Sequence, residues 1–201
     1  MRDQFMILFR KRLQLSIYVV IISVLSVVPV SCIFNPDNGD DDNHQVDGKL
    51  QTPTQPGIVV ENLKVAFQQL EPDWYEQCLH PNYFYESPPV LDEDPWKVPR
   101  SEEVAIITRM MEDCKQFHFT ANHLSSYPEY GIDIEDKPDG VAVSQEHPDE
   151  IWYVYNYNIT MEVYTNSHGD FRIPQNVQFK MVKDPDTELY SIIRWYDLTP
   201  D

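Results

Sequence analysis

Tyr153, Tyr155 and Tyr157 alternate along the chain, which sets three phenols on one side of any extended segment. A phenol can donate to a developing oxyanion, but its ordinary pKa of about 10 makes it a poor base at neutral pH. Any base must therefore come from elsewhere, and His80, His118 and Asp197 are the candidates. His80 stands just before Pro81, a position that suits the end of a helix. His118 alternates with Phe117 and Phe119 and so faces away from them, while Asp197 shares the Ile193 and Trp195 side of the last apolar run. None of the three is embedded in a motif. Packing competes with chemistry for the tyrosines as well, because each ring can sit in a core with its hydroxyl bonded at the rim.

Metal and thiol chemistry find little support. His118 and His123 are five residues apart, and Glu146-His147-Pro148-Asp149-Glu150 reads as a turn. Eight acids and one lysine between Glu129 and Glu150 read as a solvated loop. The Asp40 to Asp42 run lacks the glycine and distal glutamate of a calcium-binding loop. Neither a metal nor a cofactor is expected. Cys78 and Cys114 fall on the buried sides of two expected helices; free thiols are favoured, with a disulfide left open.

The elements that position these residues differ along the chain. Its 201 residues carry 33 acidic and 15 basic side chains, a net charge of -18 that argues against nucleic acid as a partner. Arg2, Arg10, Lys11 and Arg12 precede an apolar run from Leu13 to Val30, and the run closes on Pro29-Val30-Ser31-Cys32. This pattern resembles a bacterial lipoprotein signal over residues 1–31, although Pro29 stands where leucine is usual; an uncleaved membrane anchor, for which about 18 apolar residues just suffice, and an ordinary secretory signal are the alternatives. The resemblance implies lipidation at Cys32, membrane attachment through that lipid, and a place in the bacterial cell envelope facing the periplasm or the exterior. Cleavage before Cys32 removes four basic residues and one acidic one, taking the charge to -21. Residues 32–56 read as a disordered acidic tether, because a segment so polar cannot bury enough surface to order itself.

From Gly57 the periodicity becomes regular. Val59, Leu63, Ala66, Phe67 and Leu70 form one stripe of a helix. Asp73 and Glu76 suggest a capping box for a second helix, and Ser101 suggests the cap of a third. Short strands are expected at Tyr83 to Tyr85 and Gln116 to Thr120, with an irregular acidic stretch from Ala121 to Glu150. Three long strands follow, Ile151 to Thr165, Phe171 to Lys183 and Leu189 to Asp197, and Pro174 marks a bulge or an exposed edge.

This order of elements resembles the NTF2-like family. The similarity is carried by the Val59 to Leu70 helix, the Asp73-Trp74-Tyr75 helix start and the closing Ser191-Ile192-Ile193-Arg194-Trp195-Tyr196 strand. It implies an α+β fold over residues 57–201, a cone in which a curved antiparallel sheet wraps three N-terminal helices around a pocket. It further implies a site at Tyr153, Tyr155, Tyr157 and Trp195. Two readings follow. One is a non-catalytic module that binds a small apolar ligand or a protein and pairs with a second copy through the sheet, using Trp152, Asn156, Asn158, Gln178 and Arg194. The other is an isomerase or dehydratase of the ketosteroid isomerase-like kind, with Tyr155 or Tyr157 as electrophile and His80 or Asp197 as base. The first is favoured, because the residues show no inward pair of acid and base.

Overall fold

The computed structural model describes residues 48–88, 95–167 and 169–199. The expected signal, Cys32 and most of the expected tether lie outside the described residues. The last part of that tether is not free of the domain. Gln51 exchanges two hydrogen bonds with Asn62, at 2.8 and 2.7 Å, and Tyr190 N donates to Pro53 O. The ordered domain therefore begins near Gln51 rather than at Gly57, because the buried Asn62 amide needs polar partners and finds them there.

Helix α1 (Pro56–Gln69) opens on a proline whose fixed φ suits a first helical turn and ends on Leu70 in the left-handed region at φ 56°. Helix α2 (Pro72–Gln77) also opens on proline. Its cap is Glu71, not Asp73, and no side chain bonds that cap. Glu76, expected to close a capping box, instead receives Arg100 Nη1 at 2.7 Å. Strand β1 (Leu79–Glu86) follows without a break, so His80 and Pro81 lie in a strand whose register slips between Leu79 and Phe84. Strand β2 (Lys97–Pro99) leads directly into α3 (Arg100–Asp113), which leaves Ser101 inside the helix rather than at its cap.

The remaining strands are β3 (Cys114–Gly131), β4 (Ala142–Ser144), β5 (Ile151–Thr165), β6 (Asp170–Lys183) and β7 (Tyr190–Asp197). Together the seven form one curved sheet in the order β2-β1-β7-β6-β5-β3-β4. The sheet is mixed rather than wholly antiparallel, since β1 runs parallel to β7 and β3 parallel to β4. The larger departure from expectation is β3. It extends 11 residues beyond Thr120, to Gly131, because β5 offers a partner along its whole length from Thr165 to Ile151.

Alternation on β5 sends odd-numbered residues inward and even-numbered residues outward. Phe67 of α1 stacks on Phe117 at 4.6 Å and Phe119 at 5.3 Å and meets Tyr75 of α2 at 5.3 Å, which closes the helices onto the inner face. Pro174 sits on β6 beyond Val177, where the pairing with β7 ends at Asp197, so its missing N–H costs no ladder bond there.

Candidate functional site

The inner face holds two polar groups of residues. The deeper one joins α2, α3 and β1. Tyr75, fully buried, donates its hydroxyl to Glu103 Oε1 at 3.1 Å, and the buried Tyr83 of β1 adjoins both. Burial pushes the Glu103 carboxyl up to about 7; the hydrogen bond from Tyr75 opposes that rise and the Glu102 charge adds to it. The same burial, with Glu103 beside them, holds the Tyr75 and Tyr83 phenols well above their ordinary value. Two residues along β1, Tyr85 donates to Asp197 Oδ2 at 3.4 Å, and Gln175 Nε2 reaches the same oxygen at 2.9 Å. Thr199 N donates to the other Asp197 oxygen at 2.9 Å. Trp195 is edge-on to Phe179 at 4.8 Å and Tyr85 at 6.3 Å, and its buried Nε1 has no hydrogen-bond partner among the described residues.

The second group lies along β5 and the adjoining part of β3. Tyr155 and Tyr157 stack at 6.3 Å, and the exposed His123 of β3 meets them at 5.6 and 5.3 Å. Tyr153 meets Tyr190 edge-on at 5.3 Å. Burial lifts the Tyr157 phenol to about 12, helped by Tyr155 and the Glu61 carboxylate of α1. The expected phenol row thus exists, and it has an imidazole beside it that the sequence reading placed in an irregular stretch.

The expected bases fare differently. Asp197 does face inward, but its partners are Tyr85, Gln175 and Thr199 rather than Tyr155 or Tyr157. His80 accepts from Asn82 N at 3.1 Å. Burial lowers its pKa, and the charged groups around it are Glu150, Arg194, Asp184 and Arg100, none of them in the phenol row. His118 points outward as expected, against Tyr164. Cys78 and Cys114 are buried free thiols, pushed by burial to about 12 and about 11. Among the described residues no group of three histidines, cysteines or carboxylates could hold a metal.

The outer face corrects one expectation. Trp152 is 2% exposed and does not stand open as a contact residue, because His147 stacks on it at 4.1 Å. Arg194 is engaged by Glu146 at 2.6 Å and lies 3.9 Å from the Phe84 ring centre. Asn156, Asn158 and Gln178 do form a polar ladder with Ser125 and Asn176. Sequence reasoning also missed Glu103. Its early place in α3 already accounted for a carboxylate at the positive end of the helix, and no local signal separates Glu103 from Glu102.

A curved mixed sheet lined with tyrosines and closed by three helices is an α+β cone of the kind that the resemblance to the NTF2-like family implied. Solved structures similar to this chain include a conserved protein from Planctomyces limnophilus, at TM-score 0.49 and 9% identity over 69% of this chain and 88% of that one. An NTF2-like superfamily protein from Salmonella enterica gives 0.48 and 8% over 71% and 87%. A ketosteroid isomerase-like protein from Erwinia carotovora gives 0.44 and 11% over 72% and 94%. The cone is defined by this chain's own strand order and helix placement, and these similarities add no activity to it. No protein-family model and no curated protein matches the chain.

Proposed function

We propose that the chain is a lipid-anchored protein of the bacterial cell envelope whose NTF2-like domain binds a small apolar ligand, without catalysis, at the tyrosine row of β5. The observation that carries this reading is the ring cluster of Tyr153, Tyr155, Tyr157, His123 and Tyr190, in which the row of three phenols makes no hydrogen bond to a carboxylate among the described residues. Stacked rings with hydroxyl edges favour a flat apolar molecule with a polar rim. The basic and apolar residues before Cys32 support the anchor.

The binding half is tested with the chain from residue 32 onward carrying Cys32→Ser, titrated with N-phenyl-1-naphthylamine and read by its fluorescence. A Tyr155→Ala, Tyr157→Ala double variant should weaken the probe at least tenfold, and unchanged affinity would remove the site. The anchor half is tested by labelling cells with an alkyne fatty acid; the label and the membrane fraction should both be lost in Cys32→Ala. Two copies would pair through the Asn156, Asn158, Asn176 and Gln178 ladder, and sedimentation of this chain as a strict monomer would sink that part.

Catalysis is the second reading, and the observation favouring it is Glu103. A carboxyl held at about 7 beside two phenols can exchange a proton near neutral pH. Hydrogen exchange alpha to the carbonyl of small cyclic ketones in D2O, lost in Glu103→Gln, would support it. No exchange above the buffer rate across a broad ketone panel would dismiss it.

A further inference from the structure

Residues 132–150 leave β3 at Gly131, lay β4 along the β3 edge of the sheet and return to β5 at Ile151, and Glu146, His147 and Glu150 reach the outer-face side chains of Arg194, Lys180 and Trp152. Their own backbone closes the fold-back: Gly131 N donates to Glu150 O at 2.8 Å, Ile132 N to Ser144 O at 3.0 Å and Asp133 N to Pro148 O at 3.0 Å. The underside of this strap is charged. Glu146 receives Arg194 at 2.6 Å, Lys180 at 3.3 Å and Tyr196 at 3.4 Å, while Glu150 receives Trp152 Nε1 at 2.6 Å. Below it lie the apolar side chains of Trp152, Val182 and Ile193.

His147 is the centre of this arrangement, 3% exposed and stacked on Trp152. Its Nδ1 lies 3.0 Å from the Glu150 carbonyl oxygen and its Nε2 lies 2.9 Å from Glu129 Oε2. A carbonyl only accepts, so Nδ1 must carry hydrogen. Glu129 Oε2 already accepts from the Lys180 ammonium at 2.8 Å, and a proton on that oxygen would oppose the ammonium, so Nε2 must carry hydrogen too. Burial raises the Glu129 carboxyl, but hydrogen bonds from Lys180 and His147 outweigh it and leave the group below its ordinary value. With both nitrogens protonated, Glu129, Glu146 and Glu150 face Lys180, Arg194 and His147 in equal number.

We infer that the strap is a proton-gated latch, closed over the outer face while His147 is an imidazolium and released when that proton leaves. The neutral ring has one donor for two acceptors, so one contact becomes lone pair against lone pair. The ring itself meets Glu129 of β3, the Glu150 carbonyl of the strap and Trp152 of β5, and the titratable and charged groups bonded to these or to the neighbouring Glu146 are the Glu150 carboxylate, Lys180 of β6, and Arg194 and Tyr196 of β7. His80 of β1 faces the Glu150 carboxylate. Loss of the proton leaves three carboxylates against two cations under the strap. The sign is therefore fixed: closed at lower pH, open at higher pH.

The test uses the full chain in lipid nanodiscs with nitrogen-15 histidine, with the His147 signals assigned by their absence in His147→Gln. Ring nitrogen shifts are followed against pH beside amide protection factors for residues 132–150, which already remove the intrinsic pH dependence of exchange. The expected result is two protonated ring nitrogens while the strap is protected, and a fall of at least tenfold in strap protection as the proton is lost, with the Phe179 amide unchanged. A neutral His147 ring while the strap is protected would overturn the latch. So would strap protection that stays constant through the titration.

Discussion

Glu103 shows how little a residue's local sequence says about its chemistry. In the chain it is one of two glutamates in the first turn of a helix, yet only it is turned toward Tyr75 and Tyr83 and held at about 7. Because its carboxyl binds a proton more tightly folded than unfolded, the native state holds more protons between about 4.5 and 7. Stability should accordingly fall as pH rises through that window, by on the order of 2 to 3 kcal/mol, and level off above it. Urea denaturation from pH 4 to 8 checks this. Glu103→Gln, which keeps an acceptor for Tyr75 without the charge, should flatten the curve and be the more stable form at pH 8. The phenol row was legible from the alternation of Tyr153, Tyr155 and Tyr157. The partners of Asp197 were not, since Tyr85 and Gln175 lie 112 and 22 residues away from it.

At the scale of elements, β5 to β7 were legible almost residue for residue, because long runs of alternating apolar and β-branched residues leave one reading. The far half of β3 was not legible. Asn122, His123, Ser125 and Ser126 have no alternation of their own, and they are extended because β5 supplies hydrogen bonds opposite them, across a register slip between His123 and Ser125. The strap shows the same dependence on distant backbone. A Cβ at Gly131 would fall 2.1 Å from the Pro148 carbonyl oxygen and 2.3 Å from that of His147, so it would meet backbone that cannot yield cheaply. Gly131→Ala should cost more than about 2 kcal/mol in denaturant unfolding. It should also lower hydrogen-exchange protection in residues 132–150 more than in β6. Phe67 ties the helices to the sheet through three rings, so Phe67→Ala should lose about 3 to 5 kcal/mol by the same measurement.

For the whole molecule, the net charge of -18 repels itself in the compact state. Raising salt from about 0.05 to 0.5 M should raise the melting temperature by a few degrees, since it screens exposed carboxylates much more than the buried pairs under the strap. An unchanged or lower melting temperature would show that those pairs dominate. Composition and periodicity by themselves indicated the three helices, the long C-terminal strands and the acidic exterior, and the family resemblance carried by their order implied the α+β cone. The helices, strands and exterior follow from which side chains leave water and at what spacing. Only the tertiary structure decided that the sheet is mixed, that Glu103 joins two phenols, that His123 reaches the tyrosines, and that His147 is sealed between two acceptors. Those are contacts between elements distant in sequence, created when a curved sheet brings together side chains that no local pattern relates.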